Sequence, residues 1–220
     1  MIAKEILIDG QPFTYMSEEG DPYIFNKMTP EDGARLLKVS KALLDELHID
    51  FFLLYGTLLG YVREGHIING DDDVDIAIFD KFEDSLYSAL PFLSSKGLKI
   101  NRIWKNELYS FHTERNGHLD IYIVREFGPS LWRPFAYQIR MTSIPKKYLN
   151  SFSCLNANGE SLPVPSDSEG LLEWLYGKDW RIPQDNKGRS DIIARAIWLF
   201  PAKVLRKVKK IPKKLHALFN

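Results

Sequence analysis

An acidic run near the middle of the chain is the feature of the sequence best suited to chemistry. Asp71-Asp72-Asp73-Val74-Asp75 places four carboxylates within five residues, and the apolar Ile76-Ala77-Ile78 follows at once. Such carboxylates repel one another strongly unless a cation lies between them. Alternate residues of a strand share one face, so Asp73 and Asp75 point the same way while Val74 points into the core. The pair predicts a site for a hard divalent cation, Mg²⁺ or Mn²⁺.

A calcium-binding loop and a solvated surface loop are the alternatives to a catalytic metal site for the acidic run. An EF-hand calcium loop needs Gly at its sixth position and Glu at its twelfth, but counting from Asp71 gives Ile76 and Phe82. Acidic runs are also common in solvated loops, and taken alone this run fits that interpretation as well.

A third candidate acid, Asp120, lies in an apolar stretch further along the chain. It is flanked by Leu119 and by Ile121 in a segment that has the composition of a buried strand. Asp is unfavourable inside a strand, so its presence there invites a functional explanation. Asp120 is therefore a candidate catalytic residue or metal ligand, together with Asp73 and Asp75.

A glycine-containing turn precedes the acidic run. Gly56 and Thr57 follow the apolar run Phe51–Tyr55 and open a segment with helical spacing. Backbone N–H groups at a helix N-terminus can approach a phosphate, and Arg63, nearly two turns along, can add a guanidinium fork. Gly56, Thr57 and Arg63 are therefore candidate substrate-binding residues. A plain strand-to-helix turn, in which Gly56 serves only geometry, is the alternative.

The elements that must position these residues form an α+β pattern. We predict one mixed β-sheet flanked by helices, with a helical C-terminal extension. The predicted parts are an N-terminal hairpin over 1–28 around Asp9-Gly10, a catalytic domain over 29–189 and a basic amphipathic helix over 190–220. Within the catalytic domain, the segment 125–165 is expected to be irregular because of its prolines.

Taken together, the motifs resemble the LicD family, which has the nucleotidyltransferase fold and includes the fukutin-related proteins. The resemblance rests on Tyr55-Gly56-Thr57-Leu58-Leu59-Gly60-x-x-Arg63 followed by the run Asp71–Asp75. A C-terminal stretch, Tyr176-Gly177-Lys178-Asp179-Trp180-x-x-Pro183, is similar to the family's Tyr-Gly-x-Asp-Trp-x-x-Pro. The similarity runs from Thr29 to Pro183.

The sequence departs from the family pattern in the loop between the turn and the acids. Where the family commonly has Arg-His-x-Gly and Pro-Trp, this chain has Arg63-Glu64-Gly65-His66 and Asn69-Gly70. These changes put in doubt any contacts to donor or acceptor that the loop carries in relatives. The single cysteine, Cys154, excludes a cysteine-rich zinc site, so the zinc finger of the fukutin-related branch is absent.

The resemblance implies transfer of a phospho-alcohol group, such as phosphocholine, from a CDP-linked donor to a sugar hydroxyl, with release of CMP. The acceptor would belong to a cell-surface glycan such as lipopolysaccharide or capsule polysaccharide. On this interpretation Asp73 and Asp75 hold Mg²⁺ against the diphosphate. Asp120 either completes the metal site or takes the proton of the attacking hydroxyl.

Further substrate contacts follow from the same resemblance. Asp71 and Asp72 would act as outer ligands or contact a cationic head group of the donor. Trp180 would stack on sugar or cytosine, although a core position is the commoner role for a tryptophan.

The formal net charge is zero, but net positive charge is concentrated at the C-terminal end of the chain. Residues 192–220 carry eight Lys+Arg and no acid, interleaved with apolar residues at helical spacing. This pattern predicts binding to an anionic membrane surface, with a helix docked on the domain as the alternative. Nucleic acid is not expected as a partner, because the basic residues are confined to one helix. The N-terminus shows no apolar signal-peptide core, so we expect a cytoplasmic protein, peripheral on the inner face of the membrane.

Two other functions are compatible with the sequence. One is a conventional nucleotidyltransferase that moves a nucleoside monophosphate from a nucleoside triphosphate to a small molecule or a protein. The other is a non-catalytic module that binds cations or membranes through a degenerate site. The presence of Asp73, Asp75 and Asp120 together argues against degeneracy.

Overall fold

A single mixed sheet organises most of the described part of the chain. The computed structural model describes residues 2–17, 27–113, 117–126 and 136–183. Its strands are β1 (Ile2–Ile8), β2 (Gln11–Ser17), β3 (Phe51–Leu53), β4 (Asp73–Phe79), β5 (Lys99–Trp104), β6 (Leu108–His112), β7 (His118–Glu126), β8 (Ala136–Ile139), β9 (Thr142–Pro145), β10 (Phe152–Ala157) and β11 (Glu160–Pro165). Its α-helices are α1 (Pro30–Glu46), α2 (Tyr55–Glu64), α3 (Glu83–Ser88), α4 (Leu90–Ser95) and α5 (Ser168–Tyr176).

The main sheet has the strand order β3-β4-β7-β6-β5, and β8 extends from β7 to pair with β9. Strands β4 and β7 run parallel, whereas the β3–β4, β6–β7, β5–β6 and β7–β8 pairs are antiparallel. The α+β architecture predicted from the sequence, a mixed sheet with helices around it, is therefore confirmed.

The two central strands divide the sheet into an apolar face and an acidic face. In β4, Val74, Ile76 and Ile78 are fully buried and alternate with Asp73 and Asp75. Their partners at the same register positions of β7 are the buried Leu119, Ile121 and Ile123. The apolar sets lie on one face and make the core, so the intervening acids share the other face.

Capping residues mark the ends of three of the helices. Thr29 caps α1, its Oγ1 accepting the Asp32 N–H at 3.2 Å, and Pro30 occupies the first helical position. Helix α2 begins at Tyr55, two residues before the predicted start, and ends at Gly65 in the left-handed conformation. The N-cap of α5 is Asp167, whose carboxylate accepts the Gly170 N–H at 3.0 Å.

The prediction that 125–165 is irregular was wrong. Within its described part lie two antiparallel hairpins, β8–β9 and β10–β11, and the end of β7. Asn158 and Gly159 both have positive φ and form a two-residue turn. Pro163 is tolerated because β10 and β11 form a separate two-stranded sheet, in which each strand has a free edge.

The structure describes the predicted N-terminal hairpin but not the predicted C-terminal helix. Strands β1 and β2 pair around Asp9-Gly10, as the turn residues predicted. The predicted C-terminal helix over 190–220 lies outside the described residues, and so does the tip of the β6–β7 hairpin. Among the described residues, no helix is both long enough and apolar enough to cross a lipid bilayer.

Candidate functional site

Three carboxylates from two strands converge at the edge of the parallel β4–β7 pair. Asp75 and Asp120 occupy directly paired register positions, and Asp73 pairs with His118 one step along the same face. Asp73, Asp75 and Asp120 each place a carboxylate oxygen within 4.8 Å of the others. The structure therefore brings together the three acids that were predicted from separate segments of the sequence.

The remaining acids of the run lie beside this group. Asp71, Asp72 and Asp73 also place carboxylate oxygens within 4.8 Å of one another. The Asp71 N–H donates to the Ile68 carbonyl at 3.1 Å and closes a turn just before β4, and Asp71 Oδ1 accepts the Asp72 N–H at 3.1 Å. The Asp71 carbonyl accepts the Met28 N–H at 2.7 Å and ties this turn to the segment before α1.

The start of α2 is joined directly to Asp75. The Gly56 N–H donates to Asp75 Oδ2 at 3.0 Å, and the Asp75 N–H donates to Thr57 Oγ1 at 2.8 Å. Thr57 is buried, and the N-cap residue of α2, Leu54, makes no side-chain cap. The Asp75 carboxylate thus takes the place of a local cap, where the positive end of the helix dipole favours an anion.

The approach of this helix to the acids requires glycine. A Cβ at Gly56 would lie 2.9 Å from Asp71 Oδ2 and 3.3 Å from Asp75 Oδ2. Gly56 therefore lets two carboxylates reach the helix backbone. The roles of Gly56 and Thr57 in binding phosphate remain predictions, since both make their described contacts with the acids.

Burial and repulsion from neighbouring acids raise the pKa values of Asp71 and Asp75. Burial raises the pKa of Asp75 well above its usual range, and the charges of Asp73, Asp120 and Asp71 raise it further. Burial also raises the pKa of Asp71 to about 6, with a smaller upward contribution from the Asp72 charge. The donor set is made of carboxylate oxygens that repel one another, and a hard divalent cation bound among them would relieve this repulsion.

Tyrosines border the acidic face. Tyr122 Oη donates to Asp120 Oδ2 at 3.4 Å, and its ring meets that of Tyr55 edge-on at 5.0 Å between centroids. Burial raises the pKa of Tyr55 to about 12, and burial followed by the Asp75 charge raises the pKa values of Tyr122 and Tyr176 well above the usual range. These phenols stay protonated at neutral pH and are available as hydrogen-bond donors.

Two predicted substrate-binding residues, Arg63 and Trp180, make their described contacts with groups other than the acids. Arg63 lies seven residues after Gly56, about 10 Å along the axis of α2. Its guanidinium forms an ion pair with Glu64 and donates to the Trp180 carbonyl at 3.5 Å. Trp180 is only 5% exposed and packs in the hydrophobic core. Its ring therefore offers little surface for stacking, and a core role explains the position of Trp180.

Several residues of this face were not singled out from the sequence. Tyr122 follows Asp120 by two positions, so strand alternation could have identified it. Tyr55 stands in the quoted motif beside Gly56, but no role was assigned to it. Arg102 and Arg140 carry no comparable signal, because only the pairing of distant strands brings them near Asp120.

A known family and several known proteins are similar in sequence to this chain. The family described as LicD/FKTN/FKRP, nucleotidyltransferase domain, matches residues 48–167. Ribitol-5-phosphate transferase FKTN of Mus musculus is 28% identical over 169 residues, which cover 74% of this chain and 35% of that protein. Uncharacterized protein RT0683 of Rickettsia typhi is 37% identical over 148 residues, which cover 64% of this chain and 45% of that protein. The chain thus spans between a third and a half of the length of these relatives.

A solved structure gives a weaker similarity. Lincosamide antibiotic adenylyltransferase LnuA, bound to lincomycin, is 17% identical with a TM-score of 0.48, and the match covers 80% of this chain and all of LnuA.

Proposed function

We propose, on the premise that this chain belongs to the LicD/FKTN/FKRP nucleotidyltransferase-domain family, that it transfers a phospho-alcohol group from a CDP-linked donor to a sugar hydroxyl. The acceptor oxygen attacks the phosphorus that bears the alcohol, the bond from that phosphorus to CMP breaks, and CMP leaves. The similarity to a ribitol-5-phosphate transferase supports a phospho-alcohol as the transferred group. A sugar of a cell-surface glycan, such as lipopolysaccharide or capsule polysaccharide, is the proposed acceptor.

The observation that carries this proposal is the convergence of Asp73, Asp75 and Asp120 within 4.8 Å. Carboxylates held this close on a rigid parallel strand pair suit the two requirements of phosphoryl transfer, a cation site and a proton acceptor. Asp73 and Asp75 are the proposed ligands of Mg²⁺ or Mn²⁺. When bound, the cation would neutralise charge on the phosphates of the donor.

Asp120 is the proposed proton acceptor. Its pKa is raised chiefly by burial, which makes it a stronger base than an exposed aspartate. Tyr122 Oη and the Ser110 side chain both hydrogen-bond to Asp120 and hold its carboxylate in place. The proton of the attacking hydroxyl would pass to Asp120 and then to solvent.

The chain's remaining groups have positioning roles in this proposal. Gly56 and Thr57 hold Asp75 through one hydrogen bond each, and the Asp71 carboxylate lies close to the Cα of Gly56. Asp71 and Asp72, whose carboxylate oxygens lie within 4.8 Å of that of Asp73, are the proposed outer ligands or contacts of a cationic donor group.

The test is incubation of the chain with a panel of CDP-alcohols, Mg²⁺ and candidate acceptor sugars, scoring CMP release. We expect CMP from at least one donor, with none after chelation by EDTA or in an Asp75→Asn variant. Asp50→Asn is the matched control, since Asp50 is an exposed acid that precedes β3. Release of pyrophosphate from nucleoside triphosphates, with no CMP from any CDP-alcohol, would instead identify a conventional nucleotidyltransferase.

A further inference from the structure

Strand β5 contains a bulge that changes which face of the sheet its second half presents. Ile100 pairs with Phe111 and Arg102 pairs with Ser110, so Asn101 is an extra residue in β5. Strand side chains alternate between faces, so without the bulge Arg102 would share the apolar face with Ile100. The bulge turns Arg102 to the face of Ser110.

That face is the acidic one. Arg102, Ser110, Asp120 and Asp75 occupy one register row across β5, β6, β7 and β4. Neighbouring strands are about 4.8 Å apart, so the Cα atoms of Arg102 and Asp120 are about 10 Å apart. The Arg102 side chain thus lies on the face that carries the proposed metal site, on the far side of Asp120 from Asp75.

A second arginine reaches the same place from another element. Arg140 is the first residue of the two-residue turn between β8 and β9 and has a positive φ of 49°. The Cζ atoms of Arg102 and Arg140 lie 4.8 and 4.5 Å from the centroid of the Trp104 ring, so both guanidinium groups stack against this indole. Trp104 is on the acidic face through the same bulge, because it follows Arg102 by two positions.

The charges of the two arginines also act on the carboxyl group of Asp120. Burial is the main influence on the pKa of Asp120 and raises it, while the charges of His118, Arg140 and Arg102 act in the opposite direction. The two arginine charges therefore lie on one side of Asp120, and the carboxylate of Asp75 lies on the other.

A guanidinium presents planar, paired N–H donors that match phosphate oxygens, and contact with an indole ring restricts the orientation of its plane. We propose that Arg102 and Arg140, held by Trp104, form a binding site for the diphosphate of the donor nucleotide. This inference rests on the proposed function and adds to it: positive side chains of the protein, besides a cation, neutralise the phosphates.

The test is calorimetric titration of the full chain with CDP and, separately, with cytidine, in EDTA and again in Mg²⁺. The variant is Arg102→Gln with Arg140→Gln. The matched control is Arg35→Gln, since Arg35 is an exposed residue of α1 that pairs with Asp32 at 3.2 Å. We expect the double variant to raise the Kd for CDP tenfold or more under both conditions. The Kd for cytidine, which lacks phosphate, should stay within twofold.

An unchanged Kd for CDP in the double variant would overturn the inference and leave the arginines as charge partners of Asp120. An equal loss of CDP and cytidine binding would also overturn it. If the double variant does not fold, Arg102→Lys and Arg140→Lys keep the charge but remove the fork, and a threefold or greater loss of CDP affinity is expected. Binding is measured without turnover, so a chain that binds CDP through these arginines yet releases no CMP would refute only the proposed reaction.

Discussion

The hydroxyl of Thr57 accepts the backbone N–H of Asp75 at 2.8 Å, a hydrogen bond between α2 and β4 that is buried on both sides. The next residue towards the N-terminus, Gly56, donates its own N–H to the Asp75 carboxylate. Both the backbone and the side chain of Asp75 are therefore held by the first turn of α2. The acid proposed as a metal ligand is oriented before any ligand binds.

Replacing Thr57 by Val should weaken both the fold and the cation site. Val has nearly the same shape but leaves the buried Asp75 N–H without its acceptor, at a cost of about 1–3 kcal/mol. Urea unfolding measures the loss of stability, and calorimetric titration measures Mg²⁺ affinity. Thr57→Ser keeps the hydroxyl and should retain Mg²⁺ affinity close to that of the wild type. Equal Mg²⁺ affinity in the Val variant would show that this hydrogen bond does not orient Asp75.

Asp75→Asn should abolish transfer without damaging the fold. Asn keeps an acceptor for the Gly56 N–H and removes a buried charge that the charges of Asp73 and Asp120 repel. In EDTA we therefore expect the free energy of unfolding to equal or exceed that of the wild type. Transfer should fall to background, and Mg²⁺ binding should be lost. Turnover at the wild-type rate in this variant would remove the metal role of Asp75.

Asp120→Asn separates two roles for the third acid. If Asp120 accepts the proton, the Asp120→Asn variant should show transfer reduced by roughly 10²–10⁴-fold. Its Mg²⁺ affinity should change less than that of the Asp75→Asn variant. Calorimetric titration and CMP release on the same preparations test this expectation. Loss of Mg²⁺ binding as complete as in Asp75→Asn would instead make Asp120 a metal ligand.

The metal-free chain should lose stability through Asp71 as the pH rises. The pKa of Asp71 is 3.8 in an unperturbed chain and about 6 in the fold. The folded state therefore holds its proton more tightly than the unfolded state, so the stability linked to this group is full below pH 3.8 and is lost as the pH rises through 6. In EDTA, the Asp71→Asn variant should gain stability over the wild type between pH 4 and pH 7, measured by urea unfolding. A constant difference across this range would contradict the raised pKa.

Two glycines of α2 should respond differently to alanine. At Gly56 the new Cβ would meet the Asp71 and Asp75 carboxylates, so Mg²⁺ affinity should fall while helix propensity preserves stability. At Gly60 it would lie 2.6 Å from the His66 carbonyl oxygen and 3.0 Å from the Ile68 nitrogen, which are backbone atoms. Gly60→Ala should therefore destabilise the fold. Thermal unfolding and Mg²⁺ titration of both variants measure the contrast, and the reverse pattern would contradict it.

Local patterns in the sequence predicted the N-terminal hairpin and the two faces of the central strands. Asp9-Gly10 predicted the turn between β1 and β2, and the alternation of Asp73 and Asp75 with Val74 predicted their shared face. Such features depend on residues within a few positions of one another, so the order along the chain contains them. The family resemblance came from the same short motifs.

Only the tertiary structure decided which distant residues meet. Asp120 faces Asp75 because β7 pairs in parallel with β4 at one register, and that register depends on packing of the whole apolar face. The bulge at Asn101 reverses the alternation of β5 and brings Arg102 to the acids, where uninterrupted alternation would have placed it in the core. Arg63 donates to the carbonyl of Trp180, more than a hundred residues away, while its role in binding phosphate stays a prediction. Strand register, bulges and hydrogen bonds between distant elements depend on long-range contacts, which spacing along the sequence does not specify.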